Sequence, residues 1–219
     1  MKFSIHTKGY RKLLEVFDNT FLIFLIICFG ISQFSFSQIL KDVDAIFPFE
    51  EESAAVKKGQ QWAFINKEGV KIIDFRDDLV ITQTETTSKG HPMFVEGKCL
   101  IKKMKDGIYY YGYIDKNGKT VITPKFLNAT NFKDGYAIVI ELEKSKMGSN
   151  SILGKSVTNL KLEEYVIDAT GKVVKYLENS RGYVPSDAKV APKFSSKFIS
   201  SSLVAVKELN GKWTIHKFK

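Results

Sequence analysis

The chain is poor in the residues from which many reactive sites are built. It holds two cysteines, Cys28 and Cys99, in 219 residues. If the N-terminal stretch is removed on export, Cys99 stands alone and forms no intramolecular disulfide, so a packed core must supply the stability. Histidine is nearly as scarce, with three in all. His91 and His216 lie far apart, and no His or Cys pair has metal-ligand spacing, so no metal site and no cofactor are expected. There is no glycine-rich phosphate loop and no Gly-x-Ser-x-Gly elbow. Long apolar runs are lacking too. Phe21 to Phe29 falls short of the ~20 residues that span a bilayer, and Gly30, Ser32 and Gln33 dilute its end.

What remains is an ordinary globular composition, 44% hydrophobic and 26% charged, and a length that suits one domain, or at most two small ones. The net charge is +9, from 33 Lys and Arg against 24 Asp and Glu. Such an excess favours anionic partners. The basic residues are scattered, however, as in Lys57-Lys58 and Lys102-Lys103. A solvated surface is the simpler reading, and nucleic acid is not expected as a partner.

The first 37 residues read as an address. Lys2, Lys8, Arg11 and Lys12 precede the apolar run, and Ser35-Phe36-Ser37 follows it. Basic region, short apolar region and small-x-small site form the order of a secretory signal peptide, with cleavage expected before Gln38. The long leader, with Glu15 and Asp18, leaves an uncleaved membrane anchor as the alternative, held through residues 21–36. Cys28 follows Ile26-Ile27 rather than small residues, which argues against lipid modification.

The body, residues 38–219, repeats itself. Trp62-Ala63-Phe64-Ile65-Asn66-Lys67-Glu68-Gly69 aligns with Tyr111-Gly112-Tyr113-Ile114-Asp115-Lys116-Asn117-Gly118. Tyr165-Val166-Ile167-Asp168-Ala169-Thr170-Gly171 is a third copy, and Trp213-Thr214-Ile215 opens a fourth. Alternating large residues predict a strand. Asx at the first turn position and Gly at the last predict a tight hairpin turn, in which the Asx side chain caps backbone amides and Gly takes a positive φ. Trp62, Phe64, Ile114, Val121, Phe132 and Val139 are expected in the core. A second motif recurs between hairpins. Phe49 to Val56, Phe94 to Ile101 and Phe132 to Val139 share one frame, Phe198 to Val206 fits with one extra residue, and Pro124-Lys125-Phe126 echoes Pro192-Lys193-Phe194.

This order resembles the WG-repeat family, in which a Trp-Gly dipeptide opens a strand ending in Ile-Asp-x-x-Gly. The resemblance runs from about Phe47 to the C-terminus, although no copy carries a literal Trp-Gly. It implies an all-β array of repeated hairpins behind an N-terminal helical signal or anchor segment. It also implies a bacterial source and, for many members, export; it implies no defined enzyme activity. Two stretches, near 141–163 and 175–189, interrupt the frame and read as surface insertions.

The functional expectation is an exported repeat module in the periplasm, on the outer surface or outside the cell, contacting an envelope protein or glycan. Tyr109, Tyr110 and Lys105 are the candidate binding residues, because the two tyrosines lie outside the repeat frame. The other aromatics, Trp62, Tyr111, Tyr113 and Trp213, are expected to pack between hairpins. The alternative is an envelope hydrolase using Cys99, paired with His91, or carboxylates of the insertions. Cys99 sits where the sister motifs carry Ala54 and Ala137, which favours a small core residue over a nucleophile. Asp115 and Asp168 are explained by their turns, and Glu50-Glu51-Glu52 by an exposed acidic turn.

Overall fold

The computed structural model describes residues 40–82, 90–150, 155–183 and 190–219. The leader and its cleavage site lie outside the described residues. From Asp42 to Lys219 the chain forms a unit of its own, and every regular element described in it is a strand.

The strands follow one another as antiparallel meanders. The first sheet runs β1 (Ala45–Glu50), β2 (Ser53–Lys58), β3 (Gln61–Ile65) and β4 (Lys71–Arg76). The second runs β5 (Lys98–Lys105), β6 (Ile108–Asp115) and β7 (Thr120–Phe126). The third holds β8 (Asn128–Ala129), β9 (Tyr136–Asn150), β10 (Lys155–Asp168) and β11 (Val173–Tyr176), with β12 (Arg181–Gly182) also on β10. The fourth holds β13 (Ser196–Phe198), β14 (Leu203–Lys207) and β15 (Trp213–Lys217).

The expected turns are present. The Gly69, Gly118 and Gly171 amides donate to the carbonyls of Asn66, Asp115 and Asp168 at 2.9, 3.0 and 2.9 Å. Asn66 Oδ1 accepts from the Val70 amide at 2.8 Å, and Asp115 Oδ1 from Asn117 and Lys119, both at 2.9 Å. Gly171 has φ +85°, a conformation that glycine adopts without the clash a Cβ brings. A fourth turn of the same kind, Glu208 to Gly211, joins β14 to β15. Its first residue is Glu rather than Asx, which hides it in the sequence.

The sheets stack face to face, and the repeat frame shows how. One position of the Phe motif and one of the hairpin face forward, and their neighbours face back. Ala55 and Phe64 pack against Cys99, Ile101 and Ile114 of the second sheet. On the other side of that sheet, Leu100 and Tyr113 pack against Ala137, Val139 and Ile167 of the third. Ile138 and Val166 then meet Val204 and Val206 of the fourth. The inner sheets are thus covered on both faces, so buried residues run consecutively instead of alternating. Gly112, Tyr113 and Ile114 are all buried.

Two expectations need correction. Val121 is not a core residue; it is 41% exposed, while Ile122 is 5% exposed. The β6–β7 register jumps from Tyr113↔Ile122 to Ile114↔Thr120, which leaves Val121 as the extra residue of a β-bulge. The stretch near 141–163 is also strand, not loop, at its described residues. β9 and β10 simply continue, paired from Tyr136↔Asp168 out to Asn150↔Lys155.

Candidate binding groove

The second sheet carries the candidate site. Beyond the core, β5 and β6 run on as a hairpin closed by Asp106-Gly107, with φ +53° and +78°. Two consecutive positive φ values give a type I′ turn, whose twist suits a two-residue hairpin. The pairing sets Lys103 opposite Tyr110 and Lys105 opposite Ile108. This strand end lines a cleft of about 920 Å³ with Arg76, Lys102, Met104, Thr120, Thr123 and Lys125 among its other walls.

The charge of the cleft is one-sided. Asp78 is the one acidic residue among the described residues of its lining, and Arg76 grips it through Nε at 2.5 Å and Nη2 at 2.7 Å. Lys125 pairs with Glu141 at 2.9 Å. Lys103 and Lys105 are exposed. A smaller cleft of about 220 Å³ shares Tyr110 and Lys125 as walls and adds Leu142, Lys144 and Glu141, the partner of Lys125, so the groove continues onto the long hairpin of the third sheet.

Two of the three candidate residues, Lys105 and Tyr110, therefore line one groove. Tyr109 pairs with Met104 instead, and Lys102 Nζ stands 4.9 Å from the centre of its ring. Both tyrosines are half-buried. Trp62 and Tyr113 are core residues, whereas Trp213 on the last strand is 50% exposed.

Cys99 is fully buried, and its Sγ lies 3.7 Å from the Leu100 carbonyl. Burial pushes its thiol up to about 12, with the Arg76 charge pulling weakly the other way. It is a protonated core thiol at neutral pH. His91 is also buried, stacked on Phe47 at 4.3 Å with Glu50 3.5 Å from its Nε2. Neither residue lines the groove.

Two polar arrangements escaped the sequence. The first is a carboxylate ladder. Glu51 accepts from the amides of Glu96 at 2.5 Å and Gly97 at 2.8 Å. Glu96 in turn accepts from Asp134 at 2.5 Å and Gly135 at 2.7 Å. The second is Glu164, fully buried, which accepts from Arg181 Nη2 at 2.6 Å, the Ser195 amide at 2.8 Å and the Ser196 hydroxyl. It ties the third sheet to the approach to the fourth. Glu164 holds the repeat position of Trp62 and Tyr111, so an aromatic slot has become an ionic one. That substitution for an aromatic was the available signal.

Stacked β-meanders, the first three marked by an Asx-to-Gly turn, define a β-repeat protein. Within it, residues 111–144 match the family model described as WG containing repeat. The match opens on Tyr111-Gly112 and runs from β6 through β7 and β8 into β9, so one sequence repeat straddles two sheets. No curated protein and no solved structure matches the chain.

Proposed function

We propose that this chain is an exported, non-enzymatic repeat module that makes protein or glycan contacts at the bacterial cell envelope. The observation that carries the reading is the groove, where Lys105 and Tyr110 share a cleft walled mainly by cations and hydroxyls. Strand pairing fixes the backbone beneath these side chains, and preorganisation limits the entropy lost on binding. The basic leader, short apolar run and Ser35-Phe36-Ser37 support export. The buried, protonated Cys99 argues against the hydrolase alternative.

Mass spectrometry of the exported protein should find Gln38 at or near the N-terminus. An intact N-terminus recovered with membranes would replace secretion with the anchored form. A pull-down from envelope material, compared with one using a Lys105→Glu/Tyr110→Ala variant, tests the groove. Equal capture by both forms would remove it as the contact surface.

A further inference from the structure

We propose that the groove binds a linear anionic glycan, laid from the β5–β6 hairpin toward the β9–β10 hairpin. The inference rests on the binding reading above and gives it a ligand class.

Three features point to this chemistry. First, the two clefts share Tyr110 and Lys125 and so form a track rather than a closed pocket. A track suits a polymer. Second, apart from Arg76, which is held by Asp78, the cations are lysines on regular strands. Lys103 and Lys105 are two residues apart on β5, hence on one face and about 7 Å apart. Point charges spaced along a strand match charges repeated along a chain, and Lys serves as a point charge where Arg would form a fork. Third, the exposed Thr120 and Thr123 line the same cleft as Tyr110, which is half-buried against Leu127, Ile140 and Leu162. Hydroxyl partners with an aromatic face are what a sugar ring uses. Single-stranded nucleic acid would call for a series of stacking aromatics, and this groove offers one.

Polygalacturonate is the probe, with dextran as its neutral counterpart and polyglutamate and single-stranded DNA as non-glycan polyanions. Binding to the purified protein is followed by calorimetry at several salt concentrations. Polygalacturonate should bind with an affinity that falls as salt rises, and dextran should bind far more weakly. Lys103→Glu/Lys105→Glu should weaken binding on the order of tenfold and flatten the salt dependence. Lys172→Glu/Lys212→Glu changes the net charge equally, away from the groove, and should cost less than about twofold. Tyr110→Ala should weaken binding while leaving the salt slope unchanged. All four lysines are exposed, so folding should survive, and thermal melts verify this.

Equal losses in the two double variants would reduce the effect to the protein's overall charge and overturn the proposal. So would equal affinity for polyglutamate or DNA, or no binding to polygalacturonate. If polygalacturonate fails while the pull-down still captures a partner through the groove, the anionic-glycan assignment falls and the binding module stands.

Discussion

Glu51 and Glu96 occupy the same place in successive motifs, and each carboxylate grips the backbone of the next turn along the stack. The residues at the tips, Glu51-Glu52, Glu96-Gly97 and Asp134-Gly135, all have positive φ. Their amides point outward in pairs, a geometry that accepts an anion. The first sheet supplies that anion to the second, and the second to the third. The series stops at Asp134, whose side chain is one methylene shorter. Lys116 reinforces the first link, donating from Nζ to the Glu51 carbonyl at 2.7 Å.

The ladder should show in acid. Burial alone would raise the Glu51 pKa. The Gly97 and Glu96 amides and the Lys116 ammonium together outweigh it and hold the carboxyl below its ordinary 4.5. A depressed folded-state pKa contributes stability above the unfolded value, and that contribution is lost as pH falls through the folded one. Glu51→Gln should therefore cost about 1 kcal/mol at pH 7. It should also flatten the loss of stability below pH 4.5. Denaturant unfolding from pH 7 to 3 measures both; parallel curves for the two proteins would remove Glu51 from the acid response.

Gly112 is fixed by a close approach. A Cβ there would lie 2.4 Å from the Ile122 carbonyl oxygen and 2.6 Å from the Pro124 nitrogen. The bulged β7 strand, with Pro124 in it, leans over this residue. Gly112→Ala should destabilise by about 1–3 kcal/mol as β7 is pushed away. Ala63, at the same repeat position, faces a strand without that proline, and Ala63→Gly should cost less than about 1 kcal/mol. Equilibrium unfolding of both variants tests the contrast; a neutral Gly112→Ala would show that β7 yields freely.

Cys99 is the cheapest test of structure against chemistry. Cys99→Ala should cost about 1 kcal/mol or less, because little volume is lost and Ala54 and Ala137 fill the sister positions. The native thiol should alkylate slowly, being buried and pushed up to about 12, and quickly once unfolded. Rapid native labelling would restore the nucleophile reading.

Repeat position should predict mutational cost. Phe64 faces forward into the first interface and is 1% exposed; Ile215, its counterpart in the fourth copy, is 61% exposed. Phe64→Ala should cost about 3–5 kcal/mol. Ile215→Ala should cost well under 1 kcal/mol. Thermal denaturation that found the two equal would contradict the stacking order.

The turns and the all-β class were legible because they depend on local chemistry: Asn66, Asp115 and Asp168 need only their own glycines. The frame also located Cys99 correctly, since its surroundings repeat. Val121 was misplaced because a bulge shifts register through backbone pairing that side-chain pattern does not report. The extended β9–β10 hairpin was hidden by its polar composition. Of the groove, Lys105 and Tyr110 could be named, but their meeting with Thr120, Thr123 and Lys125 depends on β7 folding back beside β6. The ladder was invisible because Glu51 and Glu96 act on backbone amides of another sheet.

The meander order has a consequence for how the chain takes shape. Every principal pairing, from β1·β2 to β14·β15, joins strands that are consecutive in the chain. Loop-closure entropy is small for such contacts, and folding of this kind is local and fast. A chain synthesised N-terminus first can close its first sheet before the second is complete. Each later sheet then finds a finished apolar surface to settle on. Each completed layer commits the next, and the stack grows in one direction along the chain.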